Sequence, residues 1–180
     1  MLDPFPIQAP APLFNFVRTK ISEPLGLPTL SLHAHEVIFA LGLYAFVGKV
    51  ISPWLSTRLC PKTYPNLNRR TKINWDVHVV SFVQSVTICA LSFYVIFCDE
   101  ERKQWRADDQ WEKRLFGYTG VTGLLQSFGL GYFLWDLYMC AVYVDIFGWG
   151  MLAHAISAVT VFSLGFVSSR LLPVKAILLA

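Results

Sequence analysis

Residues 115–169 read LFGYTGVTGLLQSFGLGYFLWDLYMCAVYVDIFGWGMLAHAISAVTVFSLGFVSS and contain neither lysine nor arginine. Asp136 and Asp145 are the only formal charges in this run. It is long enough for two crossings of a hydrocarbon core, at ~20 residues each. An ionised carboxylate at mid-bilayer depth costs at least ~2.5–3.5 kcal/mol on insertion scales, so such a residue turns to a bundle interior. Asp136 therefore points to a membrane protein and marks the place to look for function.

Composition agrees with this reading. Charged residues are 15% of the chain, against about 25% in soluble domains, and the mean hydropathy is +0.47. A length of 180 residues suits about four spans with their loops. The expected fold class is all-α: a polytopic transmembrane helical bundle. Cys60, Cys89, Cys98 and Cys140 are scattered with no CxxC, and His33 and His35 lack further ligands, so no metal site is expected. No phosphate loop, nucleophile elbow or HExxH motif occurs, and no cofactor is implied. No basic stripe with interleaved aromatics points to nucleic acid.

The chain divides into a Pro-rich arm (1–35), a first transmembrane helix (36–56), a region of three further spans (69–169) and a short tail (170–180). In the arm, Leu13, Phe14, Val17 and Ile21 form one amphipathic face suited to the membrane surface. Glu36 and Lys49 trim the apolar length of the first span. The loop 56–75 carries Arg58, Lys62, Arg69, Arg70 and Lys72, which places it in the cytosol. The second span, 77–98, sets Ser81, Gln84, Ser85 and Ile88 at i, i+3, i+4, i+7, a polar face expected to turn inward. The mixed charges of 99–114 predict a solvated helix with pairs such as Asp99/Lys103 and Asp109/Lys113. Gly117, Gly120 and Gly123, followed by Gly129 and Gly131, give the third span a face for close backbone approach, including self-association into a homo-oligomer. Gly148 and Gly150 mark the turn to a fourth span, about 149–166, bearing His154, Ser157, Thr160 and Ser163.

Asp136 and His154 are the candidate chemical pair. With the turn near Phe147, their depths differ by ~6 Å at ~1.5 Å per residue, and antiparallel neighbours pack ~8–10 Å apart. A carboxylate that holds an imidazole N–H makes a general base, a headgroup anchor or a buried lock between helices. Gln84, Tyr132 and Trp135 are placed to line the same spot.

Three stretches carry a family resemblance: NWDVHVVSFVQS (74–85), GYFLWDL (131–137) and GMLAHAISAVTVFSLGF (150–166). Together they resemble the TLC domain family, and most of all its fungal members of the TLC domain-containing protein 4 type. The family pattern lands on Trp75 and Ser81, on Gly131, Tyr132 and Asp136, and on His154. The resemblance implies a multi-pass protein of the endoplasmic reticulum or a related endomembrane, with 69–169 as a partial TLC domain whose further helices would follow Phe166. It also implies membrane lipids as partners. The ceramide-synthase branch carries a His-His and an Asp-Asp pair for acyl transfer to an amine. Here Ala153 and Ala155 flank His154, Leu137 follows Asp136, and Gln84 stands where many relatives have histidine. The expected function is therefore lipid binding, sensing or trafficking in membrane lipid homeostasis. The alternatives are an acyl-CoA-dependent N-acyltransferase, with Asp136 and His154 catalytic, and a structural protein or truncated fragment.

Overall fold

The computed structural model describes residues 4–167, for 114–116 the backbone alone. The tail 170–180 lies outside the described residues. The helices are α1 (Ala11–Val17), α2 (Leu30–Leu59), α3 (Arg69–Cys98), α4 (Glu100–Ala107), α5 (Trp111–Phe116), α6 (Gly120–Val142) and α7 (Val144–Ser163), with no strand among the described residues. Among these residues α2, α3 and Val144–Phe166 are long and apolar enough to cross a membrane. α6 has 23 residues, ~34 Å at the helical rise, and is the helix the others pack around.

The contacts fix an up-down-up-down path. At one end Thr29 Oγ1 donates to the Phe166 carbonyl at 2.7 Å, joining the start of α2 to the end of α7. At the other, Arg70 donates to the Ile146 carbonyl at 3.3 Å, and the Arg69 guanidinium lies over the Tyr143 ring. α3 thus starts where α6 hands over to α7.

Proline shapes the first span. Val47–Ile51 forms a widened turn in which the Ser52 N–H reaches back to the Val47 carbonyl, and Pro53 follows directly. Arg18–Ser22 repeats the arrangement before Pro24. Proline has no N–H and its ring pushes away the carbonyl four residues earlier, so the wider turn restores pairing that an α-turn would lose.

Several boundaries differ from the sequence reading. α2 begins at Leu30, not 36, because its first polar residues are buried rather than wet. α3 begins at Arg69, capped by the Asn68 side chain, which accepts from the Thr71 N–H at 2.9 Å. α6 ends at Val142. The break falls at Tyr143, and Gly148, at φ 82, kinks α7 in a conformation that favours glycine. The amphipathic face of the arm packs on α2, where Val17 is buried and Leu13, Phe14 and Ile21 are half-buried. Asp99 does not pair with Lys103. It is buried, caps α4 and accepts from Thr119 Oγ1 at 2.6 Å, while Lys103 pairs with Glu100 at 2.7 Å. Thr119 in turn caps α6 through a capping box with Thr122.

The glycines of α6 are occupied within the chain. A Cβ on Gly131 would stand 2.6 Å from Ala40 Cβ and 2.9 Å from the Val37 carbonyl oxygen of α2. Gly123 faces the His33 ring, and Gly129 receives Phe162 of α7. Outward, α3 presents Phe82, Phe93 and Phe97, and α7 presents Trp149, Ile156 and Val161, as lipid-facing helices do. Gly131→Ala is expected to lower stability by ~1–3 kcal/mol through overpacking against backbone, seen as a lower melting temperature in mild detergent. Gly42→Ala, whose Cβ meets nothing within 4 Å, is expected to leave it unchanged or slightly raised.

Candidate functional site

The centre of the bundle is an aromatic and polar knot of three helices. Tyr44 of α2 is fully buried, and its hydroxyl donates to Gln84 Oε1 of α3. Ser81 Oγ and the Tyr132 hydroxyl of α6 share a hydrogen bond of 2.9 Å. The Tyr44 and Tyr132 rings meet edge-on at 5.6 Å, and Tyr132 lies 6.1 Å from Trp135. Trp135 closes the knot against Ala40, Tyr44, Val47 and Val80. Gln84, Tyr132 and Trp135 are thus brought together, through Tyr44 and Ser81. Ser85, on the supposed inward face, is exposed and returns its hydroxyl to the Ser81 carbonyl.

Asp136 stands one helical turn beyond Tyr132. It is 9% exposed, and its hydrogen bonding among the described residues is limited to the Cys140 thiol at 4.0 Å. No hydrogen bond joins Asp136 and His154 among the described residues. The imidazole lies on the exposed face of α7. Moving the turn from Phe147 to Tyr143 explains part of this. Asp136 is then ~10 Å and His154 ~16 Å from the break at ~1.5 Å per residue, reversing which is deeper.

Three polar groups escaped the sequence reading. Tyr44 looked like one more apolar-span residue, and nothing in its spacing distinguishes it. Glu36 looked like a trimming charge, but it is fully buried and accepts from His33 Nδ1 at 2.9 Å. Their i, i+3 spacing was the available signal. Asp76, near the start of α3, accepts from Ser52 Oγ at 2.6 Å and from the Tyr64 hydroxyl at 2.9 Å. Among the described residues no group of three or more His, Cys, Asp or Glu side chains is arranged to hold a metal.

A family model described as the TLC domain matches residues 74–180. An uncharacterized TLC domain-containing protein of Schizosaccharomyces pombe is 32% identical over 159 residues, covering 88% of this chain and 51% of that protein. Topoisomerase I damage affected protein 4 of Saccharomyces cerevisiae is 28% identical over 131 residues, covering 72% of this chain and 43% of that protein. The chain spans about half the length of the curated relatives it matches. No solved structure matches it.

The matched region opens beside a lock between the first two spans. Trp75 Nε1 donates to Ser56 Oγ at 2.9 Å, and Tyr64, 3% exposed, sits between Trp75 and the Asp76 carboxylate. Burial, and then the hydrogen bond to Asp76, push the Tyr64 phenol up to about 12 from its ordinary 10.0. Because the folded value is raised, Tyr64 contributes full stability below pH 10 and loses it as pH rises toward 12. Tyr64→Phe is expected to lower the melting temperature at pH 8. It is also expected to flatten the further fall between pH 10 and 12 relative to the parent. Equal slopes for the two proteins would contradict the arrangement.

Proposed function

The chain belongs to the TLC domain family, and from that premise we propose that it serves membrane lipid homeostasis by holding a lipid headgroup at Asp136. The observation that carries this reading is the poverty of Asp136's surroundings. A buried carboxyl at this depth is costly without partners, and a thiol at 4.0 Å is a weak one. A headgroup that donates hydrogen bonds or brings positive charge would supply what the fold does not. The exposed His154, on the neighbouring helix, is placed to add a second polar contact from the α7 side. Tyr132 and Trp135, already held by Ser81 and the core, form a rigid wall rather than adaptable ligands. Gln84 acts through Tyr44 as a tie between α2 and α3. The setting we infer is the endoplasmic reticulum or a related endomembrane, in keeping with the multi-pass helical fold and the family's link to lipid metabolism.

The test compares lipids that co-purify in mild detergent, measured by mass spectrometry, for the parent, Asp136→Asn and His154→Ala. One lipid class per mole of protein is expected to fall at least several-fold in Asp136→Asn, and partially in His154→Ala, with folded yield maintained. Equal lipid content in all three proteins, with normal elution profiles, would remove the headgroup site.

A further inference from the structure

α3 is longer than a membrane crossing requires. Its 30 residues span ~45 Å at the helical rise, against a hydrocarbon core of ~30 Å. The first two turns, RRTKINWD (69–76), are polar and take up the excess in the headgroup layer. From there one face of the helix runs inward as Thr71, Asn74, Trp75, His78, Val79 and Phe82, which line an open groove of about 440 Å³. The face passes from polar to apolar over the ~16 Å between Thr71 and Phe82. A phospholipid passes from head to tail in the same order and over a similar depth.

The polar side chains of this face are left for an outside partner. Deeper in α3 the hydroxyls of Ser85 and Thr87 return to the Ser81 and Val83 carbonyls at 2.9 and 2.8 Å. The Thr71 hydroxyl and the Asn74 amide make no such bond among the described residues; at Thr71 only the backbone N–H is engaged, by Asn68. His78 Nδ1 lies 2.7 Å from the Asn74 carbonyl oxygen. A carbonyl only accepts, so Nδ1 carries a proton and Nε2 is left for the groove. Trp75 differs: its Nε1 is committed to Ser56 Oγ, so its ring is a fixed wall. Phe82, at the deep end, is exposed.

Charge selects the occupant. Arg58, Lys62, Arg69, Arg70 and Lys72 stand at the end of α2, in the loop and in the first turn of α3. None of them forms an ion pair among the described residues. Arg58 lies over Trp54, Arg69 over Tyr143 and Lys72 over Tyr64, and Arg70 donates to the Ile146 carbonyl. These neutral partners leave the positive charge uncancelled. The acids of this end are Asp76, held by Ser52 and Tyr64, and the exposed Asp145. The other loop, 99–114, carries both signs in mixture. A polybasic segment at a bilayer surface attracts anionic lipid heads. We propose that the groove binds one anionic glycerophospholipid of the surrounding leaflet. Its phosphate lies beside Arg70 and Lys72 at the level of Thr71, its ester region meets Asn74 and His78, and one acyl chain follows Val79 and Phe82. A zwitterionic phospholipid brings the same phosphate, but its ammonium cancels the charge that the basic cluster attracts. The site lies on the outer face of α3 and does not depend on a headgroup at Asp136.

The test uses phosphatidylserine and phosphatidylcholine with the same photoreactive acyl chain, each a minor component of phosphatidylcholine vesicles holding the full chain. Labelled peptides are mapped by mass spectrometry. Labelling of 71–82 by the serine probe is expected to exceed that by the choline probe about fivefold. The deeper stretch 86–97, which faces lipid without a basic cluster, is expected to take both probes equally. Arg70→Gln and His78→Phe are each expected to cut the excess at least twofold with unchanged elution profiles, and high salt to reduce it. Asp136→Asn is expected to retain it, which separates this site from the headgroup site proposed above. Equal labelling of 71–82 by the two probes, or an excess that is the same at 86–97, would overturn the proposal. So would an excess that survives in both folded variants. Loss of the excess on adding inorganic phosphate, but not chloride of equal ionic strength, would mean a bare anion site and would overturn it too.

Discussion

The structure depends on one constraint: α6 carries Gln126 and Asp136 and is too polar to meet lipid along its length. A polar group in hydrocarbon must find its partner inside the protein, so α6 has to be sheathed. Its glycines make that possible. Gly131 lets α2 come to backbone contact, Gly123 makes room for the His33 ring, and Gly129 lets α7 insert Phe162. The polar groups then become ties. Gln126 donates to the Phe162 carbonyl of α7, and Tyr132 reaches Ser81 of α3. The outer helices are left to carry the large apolar side chains.

The buried and half-buried acids show how consistently this is done. Asp76 is held by two hydroxyls, Asp99 by a threonine that caps another helix, and Glu36 by an imidazole. Each of the side chains named here is a hydroxyl or an imidazole. The hydroxyl bonds of Asp76 and Asp99 join separate segments without a second full charge to desolvate. Asp136 departs from the pattern, with only a thiol at 4.0 Å among the described residues. The headgroup site proposed above rests on that departure more than on depth, since Glu36 is more deeply buried and well partnered.

Much of the fold was legible because bilayer physics leaves few options. The run 115–169 without lysine or arginine, the glycine spacing and the basic loop were enough for an all-α bundle with long crossings. Boundaries were less legible where polar residues sit inside helices. Glu36 and His33 counted against a span they belong to, because hydropathy cannot tell a buried pair from a wet one. The inward face of α3 was half right: Gln84 and Ser81 turn in, Ser85 does not. For α7 the pattern had little to say, because apolar residues surround His154 on every side and periodicity then names no inner face. Tyr44 left no trace in the sequence, since a tyrosine in an apolar run reads the same whether or not its hydroxyl ties two helices.

The most direct measurement is oxygen accessibility of spin labels placed singly at residues 135 to 142 in reconstituted vesicles. If α6 is sheathed as described, accessibility follows a period of ~3.6 residues. It peaks at 138 and 142, where Tyr138 and Val142 are half exposed, and is lowest at 135, 136 and 140. A label at 136 as accessible to oxygen as one at 138 would mean that Asp136 faces lipid, and the central claim would fail.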